Sequence, residues 1–147
     1  MVIMNHSDNP TSADNQQERL DMASWIVGFT DGEGTFSVNK IKNATTASGY
    51  QIFPEFVITQ GAKSLKVLEQ IQKYFECGHV YINRRHDNHK EPMYRFCVRS
   101  RKDINEKIIP FFQLYKLRTE KLKDFERFSR IISQMNTGEH LKKSFHI

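Results

Sequence analysis

Trp25-Ile26-Val27-Gly28-Phe29-Thr30-Asp31-Gly32-Glu33-Gly34-Thr35-Phe36-Ser37-Val38 is where the hydrophobic period of the chain changes from that of a helix to that of a strand. Upstream, Leu20, Ala23, Ile26 and Val27 recur at three-to-four-residue spacing as far as Phe29. Gly32 and Gly34 are expected to stop this helix, and Asp14 to cap it, so that it runs from Asn15. Residues 1–14 show no periodicity and read as a flexible lead-in to one domain over 15–147. Downstream the period is two: Phe36 and Val38 share one face of a strand, with Ser37, Asn39 and Ile41 on the other.

The same patterns recur outward from this junction. A polar loop from about Lys42 to Gly49 leads to a second strand, Tyr50 to Gln60. Its Ile52, Phe56 and Ile58 alternate with Gln51, Phe53, Glu55 and Val57. Pro54 removes one ladder donor, so an edge position or a bulge is expected there. Leu65, Leu68, Ile71 and Phe75 mark a second helix that ends near Cys77-Gly78. A second hairpin, about His79 to Arg85 and Met93 to Arg99, sets Tyr94, Phe96 and Val98 against Arg95, Cys97 and Arg99. A short helix from about Lys102 to Ile109 is expected to stop before Pro110. A longer one from about Leu117 to Met135 carries Leu122, Phe125, Phe128 and Ile132 as its buried stripe. The order αββαββα(α) predicts an α+β fold, a four-stranded antiparallel sheet with helices on one face.

At 147 residues, 38% hydrophobic with 11 Phe, the chain can bury one core. Its 27% charged residues suit a water-facing surface, and no apolar run approaches the roughly 20 residues that span a bilayer. Cys77 and Cys97 form neither a disulfide framework nor a close pair of zinc ligands. A zinc cluster of Cys77, His79, His86 and His89 lacks the ligand spacing that structural zinc sites use. The formal charge of +5 is unevenly spread: Met1 to Glu33 holds one basic and six acidic residues, leaving 21 basic against 11 acidic residues elsewhere. A basic body of this kind suits a phosphate backbone, although charge alone serves an ordinary solvated surface as well.

An antiparallel sheet can leave one face in water. Alternation assigns to that face Ser37, Asn39, Gln51, Glu55, Tyr81, Asn83, Arg85, Arg95 and Arg99. Arg pairs bidentately with guanine, Asn and Gln with adenine, so these are residues that can read base edges. A strand of about eight residues spans roughly 26 Å, enough to follow a groove for much of a helical turn. Lys42, Arg84 and Lys90, at the hairpin ends, are placed to hold phosphates.

The run Ile26 to Gly34 closely resembles the signature of the LAGLIDADG homing endonucleases. So does its continuation to Val38, and Phe111-Phe112-Gln113-Leu114-Tyr115-Lys116-Leu117-Arg118-Thr119-Glu120-Lys121 resembles that family's entry into its last long helix. With the element order, the resemblance covers about Leu20 to Met135. It implies a site-specific double-strand DNA endonuclease that hydrolyses phosphodiesters with Mg²⁺. Mn²⁺ is expected to substitute, and Ca²⁺ to bind without supporting cleavage. Glu33 is then the metal-binding acid, aided by the Gly32 carbonyl, while Asp31, the other motif acid, is expected to accept hydrogen bonds near the helix junction, with direct metal contact as the alternative. Gln60 matches the residue that orders active-site water. Arg118 matches the basic catalytic position, with Lys116 and Lys121 as neighbours in an alignment that leaves the choice open.

Gly28 and Gly32, four residues apart, let two such helices approach backbone to backbone. With Trp25 and Phe29 they make the expected interface of a homodimer, because the resemblance implies two copies of the motif, one metal site for each strand. Two-fold symmetry favours a long palindromic or pseudo-palindromic site, and the resemblance implies short 3′ overhangs. Double-stranded DNA and a second copy are the expected partners, with neither membrane nor small-molecule substrate. An intracellular place is expected, in a mitochondrion or chloroplast where the gene is organellar. The competing reading is a non-cleaving nucleic-acid-binding protein on the same fold, an intron maturase or a DNA-binding regulator. Glu33 is the discriminating residue.

Overall fold

The computed structural model describes residues 12–83 and 91–147. Helix α1 (Ser12–Glu33) runs directly into β1 (Gly34–Lys42), which turns back as β2 (Tyr50–Gly61). Helix α2 (Leu65–Phe75), β3 (His79–Asn83) and β4 (Met93–Val98) follow. A helix over 101–114, here α3, and α4 (Lys121–Asn136) complete the order. The four strands form one antiparallel sheet, as expected, and the structure sets their order as β1-β2-β4-β3.

Four boundaries differ from expectation. Helix α1 starts at Ser12, so Asp14 lies in its first turn rather than at its cap, and 12–14 are helical rather than part of a lead-in. A carboxylate in the first turn is favourable against the helix dipole, which accounts for Asp14 there. The helix also continues through Gly32 to Glu33. A helical glycine costs about 1 kcal/mol, and burial of Ala23 and Ile26 on the inner face of α1 outweighs it, while the buried Thr30 hydroxyl beside them has no partner among the described residues. Pro110 does not end its helix either: α3 passes through it to Leu114 because the preceding Ile104–Ile108 turn is a π-helix. The Ile109 N–H donates to the Ile104 carbonyl, five residues back, which widens the helix just before the proline. Finally, α4 begins at Lys121 rather than near Leu117, and residues 117–120 form the turn that meets α1.

Pro54 lies in an interior strand of the sheet. The β1–β2 register is unbroken from Gly34↔Ile58 to Lys42↔Tyr50, so there is no bulge, but β4 pairs with β2 only from Phe56 onward. Pro54 therefore has β1 as its one neighbour and spoils no second ladder. Helix α2 ends with Glu76 in the left-handed region (φ 53°), followed by Gly78 (φ 80°). A Cβ at Gly78 would lie 2.6 Å from the Phe96 ring and 2.7 Å from the Cys97 carbonyl, so this turn needs glycine on grounds of both angle and space.

The helices cover one face of the sheet with an aromatic core. Phe36 sits 5.0 Å, centroid to centroid, from Phe56 and 5.3 Å from Phe112 and Phe125, with Phe128 at 5.4 Å. The buried stripe of α4 is Phe125, Phe128, Ile131, Ile132 and Met135, with Leu122 half-buried beside it. This packing anchors β1 and β2 from below and leaves their other face open.

Candidate functional site

One end of the molecule collects the residues singled out by sequence. Gly34 pairs with Ile58, so Glu33, just before β1, and Gln60, two residues beyond that pairing, lie at the same end of the sheet. Gln60 is half-buried and opposite Tyr94. Register places it on the core side of β2, in step with Phe56 and Ile58, not on the open face. The turn 117–120 is tied to the same end by Asp31. Its carboxylate accepts from the N–H groups of Arg118 and Thr119 at 3.0 Å and from the Thr119 hydroxyl at 2.8 Å. The Thr119 hydroxyl also lies 3.2 Å from the Asp31 carbonyl and accepts from the Lys121 N–H at 3.2 Å. Burial pushes the Asp31 carboxyl pKa up, but the Thr119 backbone and hydroxyl, the Arg118 N–H and the Arg118 charge outweigh it and hold the carboxyl below the usual carboxylate range.

The two motif acids thus have different surroundings. Asp31 is saturated with donors, whereas Glu33, at the last position of α1, is exposed and has no hydrogen-bond or ionic partner among the described residues. Gly32 is one of the last four residues of α1, whose carbonyls lack an intrahelical partner, and this end of the helix carries partial negative charge. A carboxylate and a carbonyl without an intrahelical partner at such an end can attract a cation. Among the described residues no group of three or more His, Cys, Asp or Glu side chains converges to hold a metal. Arg118 and Lys116 are exposed and Lys121 is half-buried, so the turn presents basic groups on both sides of the Asp31 anchor. His86 and His89 of the zinc alternative lie outside the described residues.

Gly32 does not stop the helix, and the glycines of the motif serve packing instead. Neither Gly32 nor Gly34 has positive φ. A Cβ added at Gly28 or Gly32 would meet nothing within 4 Å, so both line an open face of α1. Exposed Trp25, stacked on half-buried Phe29 at 4.9 Å, flanks that face. Gly34 faces inward instead: a Cβ there would fall 2.5 Å from the Thr30 Cγ2 and 2.9 Å from the Thr30 carbonyl. That close packing of helix end and strand start was missed in sequence, as was the role of Thr119. A threonine just ahead of a helix start is a capping signal that points to it.

The open face of the sheet carries the described members of the predicted set in register. Ser37 pairs with Glu55, Asn39 with Phe53 and Ile41 with Gln51 on one side. Val57 and Thr59 of β2 pair with Cys97 and Arg95 of β4, and β4 in turn sets Cys97, Arg95 and Met93 against His79, Tyr81 and Asn83 of β3. Gln51 accepts from the Asn43 amide at 3.2 Å, and Lys42 is exposed at the hairpin end. Arg99 is ion-paired to Glu55 through its Nε. Cys97 belongs to this face by register yet is buried, and burial raises its thiol pKa above the ordinary value. Arg84, Arg85 and Lys90 lie outside the described residues.

Over residues 26–132 the chain matches the family described as LAGLIDADG endonuclease. Its structure is similar to that of the homing endonuclease I-TnaI, at 41% identity and TM-score 0.74, over 82% of this chain and 77% of that one. It is also similar to the meganuclease I-SmaMI bound to uncleavable DNA, at 30% identity and TM-score 0.76, over 82% of this chain and 40% of that one. I-SmaMI has also been solved on an uncleaved DNA target in the presence of calcium ions. Among curated proteins, a probable intron-encoded endonuclease of Neurospora crassa is 31% identical over 120 residues, which are 80% of this chain and 24% of that protein. The chain spans about a fifth to a half of the length of the curated relatives it matches. No helix among the described residues is long and apolar enough to cross a membrane.

Proposed function

Because the chain belongs to the LAGLIDADG endonuclease family, we propose that it is a site-specific DNA endonuclease of the homing type, acting as a homodimer on a long palindromic or pseudo-palindromic duplex site. The observation that carries this reading is the division between the motif acids. Asp31 is consumed in holding the 118–119 turn, and Glu33, two residues on, is exposed and unpartnered among the described residues at the helix end.

Mg²⁺ keeps several waters and takes one or two carboxylates together with substrate phosphates, so a closed protein cage is not required of this chain. Glu33 and the Gly32 carbonyl fit that half-open donor set, and DNA would complete it. When bound, the ion would neutralise charge on the scissile phosphate and act as a Lewis acid on its oxygens. The chain's own residues then have these tasks. Gln60 orients a water through its amide. Arg118, which cannot act as a base, donates to a phosphate oxygen and stabilises developing charge, with Lys121 beside it. Asp31 keeps this turn against the end of α1.

Two copies would meet through the open face at Gly28 and Gly32, bringing two Glu33 side chains to the centre of the assembly, one for each DNA strand. Cleavage by both leaves short 3′ overhangs. The open sheet faces then read a half-site each, with Lys42 on phosphates. The names of the relatives, several of them intron-encoded, support placing the gene in an intron and the protein in a mitochondrion or chloroplast when that intron is organellar. The deciding experiment is selection of cleavable sites from a random duplex library with Mg²⁺, repeated with Mn²⁺ and Ca²⁺. Wild-type protein should yield one near-palindromic family of cut sites with Mg²⁺ and Mn²⁺, and Glu33→Gln none. Binding without nicking by the wild type in either metal would defeat the endonuclease reading and favour a non-cleaving binder.

A further inference from the structure

Glu55 is out of place on a surface meant for DNA. A carboxylate on a phosphate-facing sheet opposes binding unless it reads a base or organises a cation. Register shows which. Val98, the last residue of β4, pairs with Phe56, so the next residue along, Arg99, comes opposite Glu55 on the open face. The Glu55 side chain is largely covered, at 15% exposure, while that of Arg99 is 54% exposed. Arg99 donates its Nε to Glu55 Oε2, and its guanidinium carbon lies 5.9 Å from the Tyr81 ring centroid, on the far side of β4. The side chain therefore reaches from Glu55 on β2 toward Tyr81 on β3, across the end of β4.

The atom used matters. With Nε given to Glu55, Nη1 and Nη2 have no partner among the described residues, and these two parallel donors form the fork that matches O6 and N7 of guanine. An arginine free to swing would settle on the nearest phosphate and carry no sequence information. Glu55 and Tyr81 remove that freedom.

We infer that Glu55 is a positioning residue that holds Arg99 as a fixed reader of one guanine in each half-site, so that the pair contributes discrimination rather than backbone affinity. This rests on the endonuclease reading above. A bidentate contact of this kind is worth roughly a 5- to 150-fold preference for guanine over another base.

The test is sequence enrichment from a random duplex library with Ca²⁺ in place of Mg²⁺, for the wild type, E55Q, R99K and the double variant, together with the salt dependence of binding to random duplex. E55Q should lose the guanine preference at one position of each half-site and keep the rest of the profile. It should also bind random DNA more tightly, with a log–log salt slope steeper by about 1 as Arg99 moves to a phosphate. R99K, which keeps the charge but lacks the fork, should lose preference at the same position, and the double variant should lose nothing further there. An E55Q profile that keeps every preference, or one eroded evenly at all positions, would overturn the pair's role while leaving the endonuclease reading intact. No enrichment by the wild type would overturn both.

Discussion

Replacing Asp31 by alanine separates the two motif acids most sharply. The substitution removes the acceptor for two backbone N–H groups and one hydroxyl of the 118–119 turn. Hydrogen bonds to a charged acceptor are each worth about 1.5–3 kcal/mol, but the three do not add. Arg118 and Thr119 are exposed, so their freed N–H groups find water and escape the burial penalty. We expect a total loss of about 2–3 kcal/mol, which in a domain of this size lowers Tm by roughly 5–10 °C. Because folding depresses the Asp31 pKa, its contribution is complete above the usual carboxylate range and is lost as pH falls through the lower, folded value. The Tm gap between wild type and Asp31→Ala should accordingly be widest near neutrality and close on acidification. Differential scanning calorimetry or thermal circular dichroism across pH measures it. A gap below about 2 °C at pH 7, or one that widens toward acid, would refute the account of Asp31 as the anchor of the turn.

Other substitutions bear on separate parts of the site. Glu33→Gln should leave Tm within about 2 °C of wild type, since its side chain is exposed and unpartnered among the described residues, while abolishing cleavage in a nicking assay. Gly34→Ala forces a methyl into the Thr30 Cγ2 and carbonyl, and overpacking of this kind should cost about 1–3 kcal/mol in a denaturant titration. Gly28→Val meets open space within its own chain, so the variant should fold but sediment as a monomer under conditions where the wild type is a dimer. Burial raises the Cys77 thiol, with Asp103 adding to the rise, to about 11, and burial raises that of Cys97 as well. Both thiols should alkylate slowly at pH 8 and much faster after unfolding, as mass spectrometry can follow.

Residue order alone was enough for the αββαββα(α) succession, because Phe36 and Val38, Ile52 and Ile58, or Phe125 and Ile132 carry their period in the chain itself. The faces of the sheet followed for the same reason: with a period of two, knowing that Phe56 is buried assigns Glu55 and Val57 to the other side. Boundaries were less legible. Gly32 and Pro110 are helix breakers by local propensity, yet packing of Ala23 and Ile26 carries α1 past the first, and a π-turn over Ile104–Ile108 carries α3 past the second. Local propensities of about 1 kcal/mol for glycine and about 3 kcal/mol for proline do not decide against packing and hydrogen bonding that appear only when distant segments meet.

The candidate site divides in the same way. The residue types at 31, 33, 60 and 118 were readable from the motif and its neighbours. The division of labour between the acids was implied by the motif, but the groups that tie Asp31 down, Arg118 and Thr119, lie 87 and 88 residues along the chain and only the fold brings them to it. Likewise the pairing of Glu55 with Arg99, 44 residues apart, exists because two strands are neighbours in the sheet. Local period and composition are properties of successive residues; the state of a carboxylate is a property of what surrounds it in space.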